Sequence, residues 1–246
     1  MTNPPALLPL GARPLADLVK HDARAAIVLE RFGLDYCCGG QQTLEEATAA
    51  RSVPVAPVLD ALNALGEPAI ADQPDEQWTA LDALTRHIVE RHHEYVRRVT
   101  PTIEAWLDKL ATRHGGRHPE LLQVREIFGH LSSELMTHMT KEENLLFPFI
   151  DELATARRAG AHLPASAFGT VLHPVRVMEA DHRAAGDLLA RLRALTGGYA
   201  VPDDACTTYR LCYAELERYE ADLHRHVHLE NNVLFPQALE LERELT

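Results

Sequence analysis

Residues 138–148 read HMTKEENLLFP, and residues 226–236 read HVHLENNVLFP. His, Glu, Asn, Leu, Phe and Pro occupy the same six of eleven positions in the two stretches, which start 88 residues apart. Each copy carries His-x-x-x-Glu, as His138/Glu142 and His226/Glu230. On a helix, residues four apart lie one above the other on the same face. Each copy therefore offers one imidazole and one carboxylate to the same point in space, which is what a metal site requires. Two copies point to two metals.

Around these phrases the chain reads as four long helical patterns, roughly 77–113, 119–158, 169–195 and 203–244. Gly115-Gly116, a Gly/Pro-containing stretch near 160–174 and Gly197-Gly198 separate them. The second pattern runs Leu121, Val124, Phe128, Leu131, Leu135, His138, Glu142, Leu145, Phe149. The third runs Val171, Val175, Met178, His182, Ala185, Leu189, Leu192, and the fourth Cys212, Leu216, Tyr219, Leu223, His226, Glu230, Val233. Each alternates steps of three and four, the seam of a helix that faces a bundle core. Polar residues of the ligand type interrupt each seam partway along.

Burying a carboxylate or an unpaired imidazole in an apolar core costs several kcal/mol unless a partner compensates. Glu142 and Glu230 stand where the seam calls for Leu. A hydrogen-bonded His–Glu pair can be buried without a metal, but two related pairs plus His182 in a third seam weaken that reading. Four-helix bundles build dinuclear iron or manganese sites from facing helices. The first pattern must supply the remaining ligand. Its apolar line is Leu81, Leu84, Ile88, Tyr95, Val99, with His87 flanking it, His92 within it and His93 just beside it. Spacing alone does not choose between His87 and His92. Mixed imidazole and carboxylate ligation suits non-haem iron, and zinc and manganese also accept it.

The rest of the chain sets the context. The 246 residues suffice for one medium domain and a small one, with 46% hydrophobic and 24% charged residues. A net charge of −12 argues against a general nucleic-acid binder or a surface drawn to anionic lipid. No run approaches the roughly 18 apolar residues that cross a bilayer. The opening MTNPPALLPLGARPLA lacks the basic start of a secretory signal. Four cysteines, Cys37, Cys38, Cys206 and Cys212, do not form a disulfide scaffold in a chain of this length, so the expected location is the cytoplasm.

Residues 1–65 read as a small helical domain, 66–77 (GEPAIADQPDEQ) as a linker and 78–246 as the bundle. Within the small domain, 14–32 reads as one helix ended near Gly33, and Thr43 with Glu46 makes a capping box that opens a second. A third covers about 55–65. Between the first two lies Asp35-Tyr36-Cys37-Cys38-Gly39-Gly40, a tight non-helical element. Adjacent cysteines form a disulfide only with strain, so free thiols are expected. One reading makes Cys37 and Cys38 small core residues. The other makes them a thiol pair for redox, nitrosyl or iron handling, with reactivity set by their pKa. Cys206 and Cys212 read as structural.

The order His…HxxxE…H…HxxxE on four helices resembles the haemerythrin-like bundle. The phrases SSELMTHMTKEENLLFP, VMEADHRAAGDLL and HVHLENNVLFP, with LERFGLDYCCGG near the amino terminus, resemble the iron-sulfur cluster repair di-iron proteins of the RIC type. The resemblance covers nearly the whole chain. It implies an all-α fold, a haemerythrin-like four-helix bundle preceded by a small vicinal-cysteine domain. It also implies two non-haem iron ions, oxo- and carboxylate-bridged, on His87, His138, Glu142, His182, His226 and Glu230, and so selects His87 on the first helix. The implied role is repair of iron-sulfur clusters damaged by nitrosative or oxidative stress, through iron donation or nitric oxide handling. Damaged iron-sulfur proteins would be the partners and nitric oxide or oxygen the small ligands; a homodimer is compatible. The alternative is a haemerythrin-like sensor or store of oxygen or nitric oxide. Oxygen-carrying haemerythrins place a further His one turn after the third-helix ligand; here that position is Gly186, and the one four after His87 is Arg91. His228, two residues off the seam, reads as a surface residue.

Overall fold

The computed structural model describes residues 8–66, 78, 80–162 and 166–246. Most of the 66–77 linker therefore lies outside the described residues. Regular structure among the described residues is helical, apart from one isolated antiparallel bridge between Pro14 and Thr43. The chain divides into two compact units. One comprises the described part of Met1–Thr79 together with Val227–Val233; the other comprises Ala80–His226 and Leu234–Thr246.

The first unit holds four short helices: α1 (Leu15–His21), α2 (Ala25–Arg31), α3 (Leu44–Ala50) and α4 (Val55–Asn63). The single helix expected over 14–32 is thus two. Asp22 takes an extended backbone, and its carboxylate accepts from the Arg24 N–H and guanidinium, so the side chain competes with the helix for the chain's donors. The capping box is present: the Thr43 hydroxyl accepts from the Glu46 N–H, and Glu46 accepts from the Thr43 N–H. Leu15, Val19, Leu29, Leu44 and Val58 form the core, each fully buried. Around the bridge, the Leu15 N–H donates to the Gln42 carbonyl and the Leu44 N–H to the Arg13 carbonyl. Gly40 is needed there, since a Cβ would meet the Tyr36 carbonyl oxygen at 2.4 Å.

The second unit is built on four rods, numbered α5 to α8, of which the last also carries the Val227–Val233 segment that groups with the first unit. α5 joins Leu81–Ile88 and Glu94–His114 through a π-turn at Val89–His93. α6 joins Glu120–Lys141 and Phe147–Ala159 through a π-turn at Glu142–Leu146. α7 is an uninterrupted Leu172–Leu195. α8 joins Thr207–Leu229 and Phe235–Leu245 through a π-turn at Glu230–Leu234. α5 and α6 run antiparallel, the start of one against the end of the other. Gly160, at φ +61°, ends α6 in the left-handed conformation that glycine adopts without strain. The seam residues of α7, Val175, Met178, His182, Ala185, Leu189 and Leu192, are all buried as their spacing predicts.

The π-turns change the seam where they fall. On α5 the buried line runs Leu81, Leu84, Ile88, then His93, Val96, Thr100, Ile103, Leu107 and Leu110. The step from Ile88 to His93 is five, one more than an α-helix allows between successive positions on one face, and it coincides with the π-turn. Tyr95 and Val99, expected on the seam, are accordingly only half-buried. On α6, Leu145 was expected inside but is 59% exposed, and Leu146 takes its place. Pro148 and Pro236 follow the second and third π-turns in the opening turn of the next α-helical segment. Proline has no N–H, and its ring clashes with the carbonyl four residues earlier, so widening the preceding turn relieves both conflicts.

Candidate metal centre

Two buried quartets of ligand-type side chains occupy the core. One is His93, Glu142, His226 and Glu230; the other is His138, Glu142, His182 and Glu230. Within each, the candidate ligand atoms all lie within 4.8 Å of one another. Glu142 and Glu230 are common to both, and both are 0% exposed. The imidazoles face inward through Nε2: His93 and His226 approach to 3.1 Å, and so do His138 and His182. Glu142 spans the two pairs, with Oε2 at 3.4 Å from His93 Nε2 and Oε1 at 3.3 Å from His138 Nε2.

These separations fit cations. Neighbouring ligands on an ion with bonds of about 2.1 Å stand about 3.0 Å apart in octahedral and about 3.4 Å apart in tetrahedral geometry. The donor set of imidazole and carboxylate, without thiolate, suits iron, zinc or manganese. A carboxylate with one oxygen toward each imidazole pair has the form of a bridge between two ions.

The structure brings together five of the expected residues, His138, Glu142, His182, His226 and Glu230, and places the sixth outside both groups. His87 belongs to neither quartet. It is half-buried, with its ring centroid 5.9 Å from that of His92. His92 is buried but also outside the quartets; it stacks on His226 at 5.5 Å, and its Nδ1 lies 3.1 Å from Asp222. The first-helix member is His93, which the π-turn carries onto the seam. A regular helix from Leu84 and Ile88 would bring position 92 to that face, so the extra residue in the turn makes the selection. The jump from Leu81-Leu84-Ile88 to Val96-Thr100-Ile103 was a usable signal, readable as two seams one residue out of phase.

Carboxylates also back two of the imidazoles from outside. Glu143 Oε1 lies 2.6 Å from His93 Nδ1 and accepts from Arg97 at 2.7 Å. Burial pushes the Glu143 carboxyl up, but hydrogen bonds from His93 and Arg97 outweigh it and hold the group below its ordinary range. Asp181 Oδ2 lies 3.3 Å from His138 Nδ1 and accepts from Lys141 at 3.0 Å. There too burial is overcome, by Lys141 and His138. His228, expected at the surface, is 0% exposed: its ring edge meets Tyr36 at 5.5 Å, and its Nδ1 lies 3.3 Å from the Asn232 amide.

Asp35, Cys37 and Cys38 form a third ligand-type group. Neither cysteine is in a disulfide, and their sulfurs stand 4.0 Å apart, about twice a disulfide bond. Asp35 Oδ1 accepts from the N–H groups of Cys37 and Cys38 and from the Cys37 thiol, which shapes the turn. Cys37 is buried, and its thiol is held well above its ordinary pKa by the hydrogen bond with Cys38, by burial and by the Asp35 charge. The carbonyl of Cys37 accepts from the Asn232 side chain at 3.0 Å. Cys212 is also buried, its thiol pushed up to about 12 by desolvation, whereas Cys206 is exposed.

Residues 84–238 match the family described as the Hemerythrin HHE cation binding domain. Residues 11–66 match a second family, described as a domain of unknown function, DUF542. The iron-sulfur cluster repair protein YtfE of Enterobacter sp. (strain 638) is 35% identical over 231 residues, covering 92% of this chain and 96% of its own. YtfE of Edwardsiella ictaluri is 36% identical over 228 residues, with the same coverage of 92% and 96%. The iron-sulfur cluster repair protein ScdA of Staphylococcus haemolyticus is 31% identical over 226 residues, covering 90% of this chain and 95% of its own. A bundle whose core holds two cation-sized quartets, matched along nearly its whole length by these relatives, belongs to the haemerythrin HHE cation-binding family and, within it, to the group that carries the name iron-sulfur cluster repair protein.

Proposed function

We propose that this chain is a non-haem di-iron protein that restores iron-sulfur clusters damaged by nitric oxide or oxidants. The observation that carries the reading is Glu142, fully buried and offering one oxygen to each of two imidazole pairs. That arrangement suits two cations side by side. His93 and His226 would hold one, His138 and His182 the other, with Glu142 and Glu230 shared. Bound iron supplies a ferrous/ferric couple and an ion that can be handed to a depleted cluster. The chain's own contribution is to hold four imidazoles by Nε2 in a dry core, where each electrostatic contact is stronger than in water.

The Asp35–Cys37–Cys38 turn is proposed as the thiol element of the same task. Its cysteines, outside any disulfide, fit a reducing compartment, and no helix among the described residues is long and apolar enough to cross a membrane. The names of the relatives favour repair over the sensing or storage of oxygen or nitric oxide, and the matches extend through the vicinal-cysteine domain as well as the bundle.

The test mixes iron-loaded protein with a nitrosylated iron-sulfur enzyme and follows return of that enzyme's activity. Recovery beyond that from the same amount of free ferrous iron is expected. Recovery no greater than free iron removes the repair reading.

A further inference from the structure

In each quartet a carboxylate stands on the outer nitrogen of an imidazole, Glu143 on His93 and Asp181 on His138, and these two backings differ in strength. In one, Glu143 meets His93 Nδ1 at 2.6 Å and is itself clamped by Arg97 Nη2 at 2.7 Å. In the other, Asp181 meets His138 Nδ1 at 3.3 Å and is held by Lys141 Nζ at 3.0 Å. The two relays have the same plan. The cation sits on the helix that carries the imidazole, Arg97 one turn after His93 and Lys141 three residues after His138. The carboxylate comes from the neighbouring rod and is adjacent in sequence to a ligand, Glu143 to Glu142 and Asp181 to His182. Each relay therefore ties an imidazole on one helix to a ligand position on the next.

A carboxylate on the outer nitrogen fixes the tautomer, so that the inner nitrogen is free to bind, and it raises ligand basicity. It also holds the ring's rotation. A contact of 2.6 Å is at the short limit of charge-assisted hydrogen bonds from nitrogen to a carboxylate, whereas 3.3 Å is beyond their usual range. Arginine is a planar, permanently charged fork, whereas lysine is a single strongly hydrated charge on a flexible stem. The Asp181 pair is also the wetter of the two, with side chains 35% and 41% exposed against 26% and 38% for Glu143 and Arg97.

From this asymmetry, and resting on the dinuclear reading above, we infer that Glu143 and Asp181 are positioning residues for the two metals, and that the His138/His182 half is the one that releases its ion first. The repeated phrase is asymmetric here as well. The counterpart of Glu143 in the second copy is Asn231, which donates to the Cys37 carbonyl at 3.4 Å. The carboxylate that follows the metal-binding Glu is thus present only in the first copy.

The experiment loads the full chain with ferrous iron without oxygen, measures iron per chain, and follows transfer to a ferrous chelator by absorbance. The unaltered protein is expected to bind two irons and to lose them in two phases of similar amplitude. Asp181→Ala should accelerate the fast phase about tenfold and leave the slow one unchanged, while Asp181→Glu, which keeps the carboxylate, restores most of the difference. Glu143→Ala should accelerate the slow phase about 10–100-fold, the usual effect of removing such a partner on metal affinity. Arg97→Ala should act on the slow phase in the same direction with smaller size, and it serves as the second variant should Glu143→Ala fail to fold. Helix content and melting of the metal-free variants should match the parent. Release that is single-phase in the parent, unchanged by the substitutions, or altered in the same phase by both overturns this inference and leaves the dinuclear site standing. A parent chain that takes up no iron overturns the dinuclear reading itself.

Discussion

Glu142 and Glu230 are both 0% exposed, on seam positions that elsewhere hold Leu, Val or Phe. Glu142 faces the His93 and His138 imidazoles, and a buried group keeps its desolvation penalty when its counter-charge is removed. Replacing Glu142 with Leu takes away the carboxylate common to both quartets, so iron binding should fall below two per chain. Metal analysis after anaerobic loading checks this, and a variant that still holds two irons contradicts it. Five of the six quartet members, Glu142 among them, were legible in the sequence because a charge on an apolar stripe stands out at single-residue scale. His93 was not, because its neighbours His87 and His92 fit the same local pattern.

At the scale of elements, the three π-turns govern which side chains reach the core. Each contains a quartet member: His93 closes the first, Glu142 opens the second and Glu230 opens the third. π-bulges are rare and occur preferentially at functional sites, where the wider turn is offset by what it positions. The turn in α5 implies that His93→Ala removes iron while His87→Ala does not. His93→Ala should retain at most one tightly held iron per chain, and His87→Ala two, by metal analysis after anaerobic loading. The opposite ranking would show that α5 continues as a regular helix through this segment. The same reasoning covers Leu145, whose 59% exposure places the third residue after Glu142 outside the core.

For the molecule as a whole, a ligand that binds only the folded state stabilises it by mass action. At free metal a thousandfold above its dissociation constant the gain is about 4 kcal/mol. For a chain of this size that corresponds to about 10 °C in melting temperature. Chelation should lower the midpoint by this order, and ferrous iron added back under anaerobic conditions should restore it. A midpoint indifferent to metal would mean that the quartets bind no cation in the folded state. The Glu142→Leu variant should show a much smaller dependence, so the two measurements check each other.

Local physics determined much of this protein from sequence alone. The three-four spacing of apolar residues yields rods with one buried stripe, and the twofold His-x-x-x-Glu marks where the stripes turn polar. Thr43 with Glu46 marks a helix start, because a capping box satisfies its own donors within four residues. Tertiary structure decided the rest, for a reason that local pattern does not contain. The choice of His93 depends on an extra residue in a turn whose cost is borne by packing of the whole rod. The partners of the imidazoles lie 50 residues away for His93 and Glu143, and 43 for His138 and Asp181. His228 is covered by Tyr36 and Asn232, and Tyr36 is far from it in the chain. Contacts of that reach exist only once the helices have chosen their neighbours.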